Sequence, residues 1–139
     1  MQYRTFGKTV AVRMEPGEEL VEEMRRVCSL ENIRFGTVTG IGAADYAKVG
    51  VYNVAEKKYY ANECKGALEI TNLCGNITTM NGELYLHLHI TVADEQARAF
   101  GGHLNEARIS ATTEFFITKL EGELDRFYDE GIGLNLLKI

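Results

Sequence analysis

Leu84-Tyr85-Leu86-His87-Leu88-His89-Ile90-Thr91-Val92 alternates apolar and polar residues without interruption. Side chains of an extended chain point to opposite faces in turn. Leu84, Leu86, Leu88, Ile90 and Val92 therefore share one face, which must be a core face, and Tyr85, His87, His89 and Thr91 share the other. Just upstream, Asn81-Gly82 carries the residue pair favoured in two-residue hairpin turns, so a strand over Leu84 to Ala93 enters from a hairpin.

The same period extends outward from this segment. Ala67 to Thr79 is long and rich in Ile and Thr; Phe35 to Ala43, Tyr46 to Asn53, Tyr59 to Lys65 and Ile109 to Leu120 read as further strands. Ala55 to Lys58 reads as a turn, Asp94 to Arg98 as a short helical turn, and Gly101-Gly102 precedes a short segment around His103. Tyr3 to Met14 reads as one strand, which Pro16-Gly17 breaks. The period then changes. Leu20, Val21, Met24, Val27 and Cys28 form a helical stripe, so Glu18 to Glu31 reads as a helix with Glu18 and Glu19 in its first turn. Gly122 closes the last strand, and Asp125 to Ile139 reads as a C-terminal extension. One main helix and a long run of strands predict an α+β fold with a mainly antiparallel sheet. Residues 1–139 are expected to form a single domain, with a core over about 5–122 and an extension over 123–139.

No run reaches the roughly 20 apolar residues that span a bilayer, and Met1 to Gly7 lacks the apolar core of a signal peptide. The expectation is a cytoplasmic protein without a membrane partner. Cys28, Cys64 and Cys74 are odd in number, lack CxxC spacing and sit in apolar patterns, so they read as reduced core thiols. Asp and Glu outnumber Lys and Arg by 20 to 15, for a net charge of −5. A domain that grips nucleic acid is usually basic, because phosphate neutralisation supplies most of the affinity. Here the basic residues are dispersed over Arg25-Arg26, Lys57-Lys58, Arg98 and Arg108, so direct DNA binding is expected to be weak.

His87 and His89 project from one strand face roughly 7 Å apart at the backbone, close enough to share an ion. His103 is the only other histidine in the chain. The trio predicts a divalent-metal site, with zinc as the expected ion and a fourth position left for water or a ligand. The plainer alternative makes His87 and His89 surface histidines on an edge or interface face. Gly101 and Gly102 would allow close backbone approach or unusual dihedrals ahead of His103. Gly40-Ile41-Gly42 lacks the third glycine of a dinucleotide loop and reads as a bulge or close strand crossing. Glu69 and Glu114 read as solvent-facing carboxylates, with support of the histidines as the alternative. Asn76 reads as a satisfied structural amide or a pocket-lining group. No serine stands in a nucleophile elbow and no P-loop exists.

Three stretches together resemble a known family: Gly36-Thr37-Val38-Thr39-Gly40-Ile41-Gly42-Ala43; Gly66-Ala67-Leu68-Glu69-Ile70 running into Leu73-Cys74-Gly75-Asn76-Ile77; and His87-Leu88-His89 with Asp94 and Gly101-Gly102-His103-Leu104. In order and spacing they resemble the plants-and-prokaryotes conserved (PPC) domain over roughly residues 5–122. The resemblance implies a twisted, mostly antiparallel sheet assembled as a homotrimer, with His87, His89 and His103 as metal ligands. Plant members carry the domain behind an AT-hook and act in transcription; prokaryotic members consist of the domain alone and are regarded as candidate DNA-binding proteins. No Arg-Gly-Arg arm precedes the first strand here. The function implied is a trimeric PPC-type domain with a three-histidine metal site, associated with DNA or DNA-bound proteins. The alternative is a zinc-dependent enzyme acting on a small molecule through a metal-bound water, for which no general base is evident. A cupin-like site would need a glutamate a few residues beyond His-x-His, and Glu95 lies six after His89.

Overall fold

The computed structural model describes residues 1–139. The elements run β1 (Gln2–Phe6), β2 (Thr9–Met14), α1 (Leu20–Leu30), β3 (Gly36–Asn53), β4 (Lys58–Met80), β5 (Glu83–Ala93), β6 (Ala99–Lys119), β7 (Arg126–Asp129) and β8 (Leu134–Leu137). The first six strands form one antiparallel sheet in the order β1-β2-β6-β3-β4-β5, and β6 also pairs with β5. Strands β3, β4, β5 and β6 therefore close into a ring, with β2 and β1 continuing from the far half of β6. A separate hairpin, β7-β8, follows. The predicted α+β class with one helix and a mostly antiparallel sheet is what the structure contains.

The expected strands are real, but several breaks between them are bulges. Phe35 to Ala43 and Tyr46 to Asn53 belong to the single strand β3, whose pairing with β4 shifts register at Gly40/Gly42 and again at Ala44/Tyr46. A Cβ on Gly40 would lie 2.6 Å from the Phe115 Cβ, and one on Gly42 would collide with the Thr113 Oγ1, so the Gly-x-Gly serves close strand approach. Tyr59 to Lys65 and Ala67 to Thr79 likewise merge into β4, passing Gly66 at φ 115°. The segment around His103 and the strand from Ile109 merge into β6. In the other direction, the expected strand Tyr3 to Met14 is a hairpin, because Gly7 takes φ 58° and turns the chain. Asp94 to Arg98 is a turn rather than helical: the Asp94 carboxylate accepts the backbone N–H groups of Gln96 and Arg98 at 3.0 and 2.9 Å.

The helix is shorter than expected because both glutamates at its start are used before it. Glu19 is the N-cap, accepting the Glu22 N–H at 2.7 Å and, through its other oxygen, the Ala107 N–H of β6 at 3.0 Å. Glu18 accepts the Glu15 N–H and pairs with the N-terminal amine. From there Leu20, Met24, Val27 and Cys28 are buried against the sheet, as the stripe predicted, while Val21, the fifth residue of that stripe, is only partly buried. Burial raises the Cys28 thiol to about 12, so it stays protonated. The central layer of the core comes from alternate residues of β2, β5 and β6, including Val10, Met14, Leu88, Ile90, Val92, Phe115 and Ile117.

Leu88 is 2% exposed, and its neighbour His89 lies on the outer face. In urea denaturation of the metal-free protein, Leu88→Ala should lose about 2–5 kcal/mol of stability. His89→Ala should stay within about 0.5 kcal/mol. Equal losses would mean that the alternation of β5 is not what holds it in the sheet.

Candidate metal centre

β5 brings His87 and His89 to its outer face, where they stand opposite Asn76 and Cys74 of β4. On its other side β5 pairs with the start of β6, and His89 is the direct cross-strand neighbour of His103. The three rings gather with centroids 5.3 Å apart for His87–His89 and His87–His103, and 5.7 Å for His89–His103. One ring nitrogen from each lies within 4.8 Å of the other two. A Cβ on Gly101 would sit 2.5 Å from the Ile90 carbonyl oxygen, and one on Gly102 2.6 Å from that of Gly50. These glycines let β6 thread between β5 and β3. Neither takes a left-handed dihedral, so of the two roles expected for them only close approach is used.

Burial lowers the pKa of His87 to about 4, with the Arg126 cation and the two neighbouring imidazoles adding to the effect. Burial also lowers that of His103, with His89 contributing. Neutral imidazole is the form that offers a lone pair to a metal. Three converging imidazoles with no thiolate or carboxylate among them suit a borderline ion such as zinc better than calcium or magnesium, which take oxygen ligands. The donor set therefore fits the ion expected from the sequence. Cys74, although opposite His89, does not belong to the cluster.

The histidines face a cavity of about 870 Å³. Gly50, Val51 and Tyr52 of β3, Tyr59 and Asn76 of β4, and Asn105 of β6 line it together with Arg126, Leu134, Asn135 and Leu136 of the β7-β8 hairpin. Tyr59 packs edge-on to His103, with its hydroxyl donating to Asn105 Oδ1 at 2.6 Å. Arg126 is 5% exposed. Its Nε donates to Thr78 Oγ1 at 2.8 Å, Nη1 to the Asn135 carbonyl at 2.8 Å and Nη2 to Asn76 Oδ1 at 2.7 Å. The guanidinium stacks over Tyr85, 4.7 Å from the ring centre, and burial lowers its pKa.

Asn76 thus fills both roles considered for it: a satisfied amide and a pocket wall. Glu69 and Glu114 are exposed and line no part of this cavity. Arg126 went unmarked in the sequence, where it stands in a tail without periodicity; nothing nearby in the chain signals its partners at Asn76 and Thr78.

The model of the Plants and Prokaryotes Conserved (PCC) domain, abbreviated PPC above, matches residues 1–121. The chain belongs to this family. A candidate DNA-binding protein from Bacteroides thetaiotaomicron has a similar crystal structure, with 32% identity, TM-score 0.96, and coverage of 99% of this chain and 96% of that one. A metal-containing protein from Archaeoglobus fulgidus is similar at 29% identity and TM-score 0.87, over 97% of this chain and 95% of that one. Among curated proteins, the bifunctional protein GlmU of a Synechococcus strain is 31% identical over 103 residues, 73% of this chain; the match spans 15% of that protein's length. The PCC-domain chain has no helix long and apolar enough to cross a membrane.

The histidine pKa values set the sign of a pH effect. Folded His87 titrates below its ordinary value of 6.5. As the pH falls below that value, the unfolded chain takes up a proton that the folded chain refuses, and stability is lost. Glu18 and Glu31, whose pKa values are lowered from 4.5, come into play only in the more acidic range. The melting temperature of the metal-free PCC-domain chain should therefore be level above about pH 7 and fall between about pH 6.5 and 4.5. His87→Asn should flatten that fall; an unchanged slope would assign it to other groups.

Proposed function

We propose that this PCC-family chain is a metal-dependent binding module. His87, His89 and His103 hold one divalent ion, zinc by donor chemistry, at the wall of the cavity, and a small molecule binds against it. The observation that carries this reading is the convergence of three imidazole nitrogens within 4.8 Å on a cavity of about 870 Å³. The Archaeoglobus relative, named as metal-containing, supports it. A zinc ion on three histidines supplies a Lewis acid with an open position. The chain's own residues shape what reaches that position: Tyr59 and Asn105 flank His103, and Arg126 is hydrogen-bonded to Asn76, the cross-strand neighbour of His87. No Asp or Glu lines the cavity, so no carboxylate is placed there as a general base. That favours binding over hydrolysis.

Zinc content of purified protein, measured by elemental analysis, tests the ion. His87→Ala and His103→Ala should each lose most of it, while Cys74→Ser keeps it. Undiminished zinc in both histidine variants would overturn the site.

Assembly as a homotrimer belongs to the same reading. It draws on the family resemblance and on apolar side chains left on the outer face of the sheet, among them Ile41 on β3, 60% exposed, and Phe116 on β6, 48% exposed. Sedimentation equilibrium at micromolar concentration should give three chain masses, and a stable monomer would remove the trimer.

DNA association is a second reading, favoured by the name of the Bacteroides relative. Charge sets its expected strength. Seven of the 15 Lys and Arg side chains already stand in ion pairs with Asp or Glu, and of the eight others Arg126 is buried, so about half are free to neutralise phosphates. Fluorescence anisotropy with A·T-rich and G·C-rich duplexes should give dissociation constants above about 10 μM near physiological salt. Sub-micromolar binding with a steep salt slope would move DNA to the first place.

A further inference from the structure

We propose that the ligand of this cavity is an organic carboxylate, held by Arg126 on the β7-β8 hairpin while its body faces the three histidines. The proposal deepens the binding reading above and rests on it for the place of the metal.

Arg126 is the only buried charged side chain in the protein. An ionised group withdrawn from water needs a counter-charge or complete hydrogen bonding. Its three acceptors, Thr78 Oγ1, Asn76 Oδ1 and the Asn135 carbonyl, are all neutral. It makes no ion pair, and no carboxylate lines the cavity it faces. A guanidinium has five N–H groups. Three are used, so one remains on each of Nη1 and Nη2. Two N–H groups on one rigid fork match the two oxygens of a carboxylate. Stacking on Tyr85 and the three hydrogen bonds fix the plane of that fork in advance.

The histidines add to the same imbalance. Three neutral imidazoles leave the charge of a divalent ion uncompensated, and Arg126 adds another positive charge in the same cavity. An anion is the ligand that balances both. The remaining wall selects its type. Val51, Tyr52, Leu134 and Leu136 offer apolar and aromatic surface, which suits an anionic head on a carbon body. A phosphate, with more oxygens and more charge, would find too few free donors.

The hairpin carrying Arg126 lies beyond the residues that match the family model, 1–121. It is tied down by the Thr79 N–H to the Leu124 carbonyl at 3.1 Å, the Thr79 hydroxyl to Asp125 at 3.1 Å and the Tyr52 hydroxyl to the Ile132 carbonyl at 3.2 Å. The C-terminal hairpin therefore supplies the charge that selects the ligand, and the ring of strands supplies the metal ligands.

The test uses the full chain, zinc-free and zinc-loaded, with zinc content measured in each sample. Acetate and benzoate are the carboxylate probes; benzyl alcohol and inorganic phosphate are the controls. The Arg126 side-chain N–H resonances are followed in protein labelled with ¹⁵N-arginine and assigned by their absence in Arg126→Lys. Benzoate should shift them saturably, benzyl alcohol should not, and Arg126→Gln should weaken benzoate binding by about ten-fold or more. If Arg126→Gln does not fold, the wild-type resonances carry the test alone. Silence of these resonances to both carboxylates, equal binding of benzoate and benzyl alcohol, or tighter binding of phosphate than of benzoate would overturn the proposal. Zinc bound with no carboxylate response sinks this inference alone. A carboxylate response in protein that takes up no zinc sinks the metal reading and leaves the role of Arg126 standing.

Discussion

The closure of β6 against β5 is the contact on which the rest of this molecule depends. It runs from Ala93–Ala99 to His89–His103 and turns a curved sheet into a ring. Three local features make it possible. The Asp94 carboxylate caps the reversal between the strands. Gly101 lets the backbone of β6 approach Ile90, and Gly102 lets it approach Gly50 on the other flank. The same register that puts Leu88, Ile90 and Leu104 inside puts His87, His89 and His103 together outside. Core and site are therefore not independent. A slip of one residue would exchange the faces of β5, burying the imidazoles and exposing leucines.

This coupling explains what could be read from the chain beforehand. Period-two alternation is local, so Leu84 to Val92 declared both its core face and its histidine face. The helical stripe Leu20, Met24, Val27 and Cys28 was legible for the same reason. Strand continuity was not. At Gly40, Ala44 and Gly66 the pattern falters as it would at a loop, yet the backbone keeps its pairing through bulges because the neighbouring strands supply partners. At Gly7 the reverse holds: alternation runs on across a reversal set by one residue's dihedral. The convergence of His103 on His89 was legible only as a count of histidines, since its cause is the ring closure.

Arg126 is the hardest part of the site to foresee, because every reason for its position is non-local. A two-stranded hairpin with strands of four residues is marginal alone in water. β7-β8 is stable only docked, and Arg126 does much of the docking through Thr78 and Asn76 of β4. The same hydrogen bonds that fasten the hairpin remove a cation from solvent without neutralising it. In a low-dielectric setting an unbalanced charge acts more strongly than at the surface. It helps to hold His87 neutral, and so links the wall of the cavity to the protonation of the histidine cluster.

The sign of this inner charge opposes that of the whole chain, which carries −5. Exposed cations such as Lys8, Arg98 and Arg108 are paired with carboxylates, so their fields largely cancel at the surface. At physiological salt, fields between exposed charges fade over about 8 Å. The positive potential around Arg126 is consequently felt by what enters the cavity, and scarcely by what passes outside it. A polyanion such as duplex DNA cannot place its phosphates within a space of about 870 Å³, whereas a small anion can fill it. The charge that distinguishes this protein is thus set where only a small ligand can use it, and any contact with DNA has to be made by surfaces that owe nothing to the three histidines.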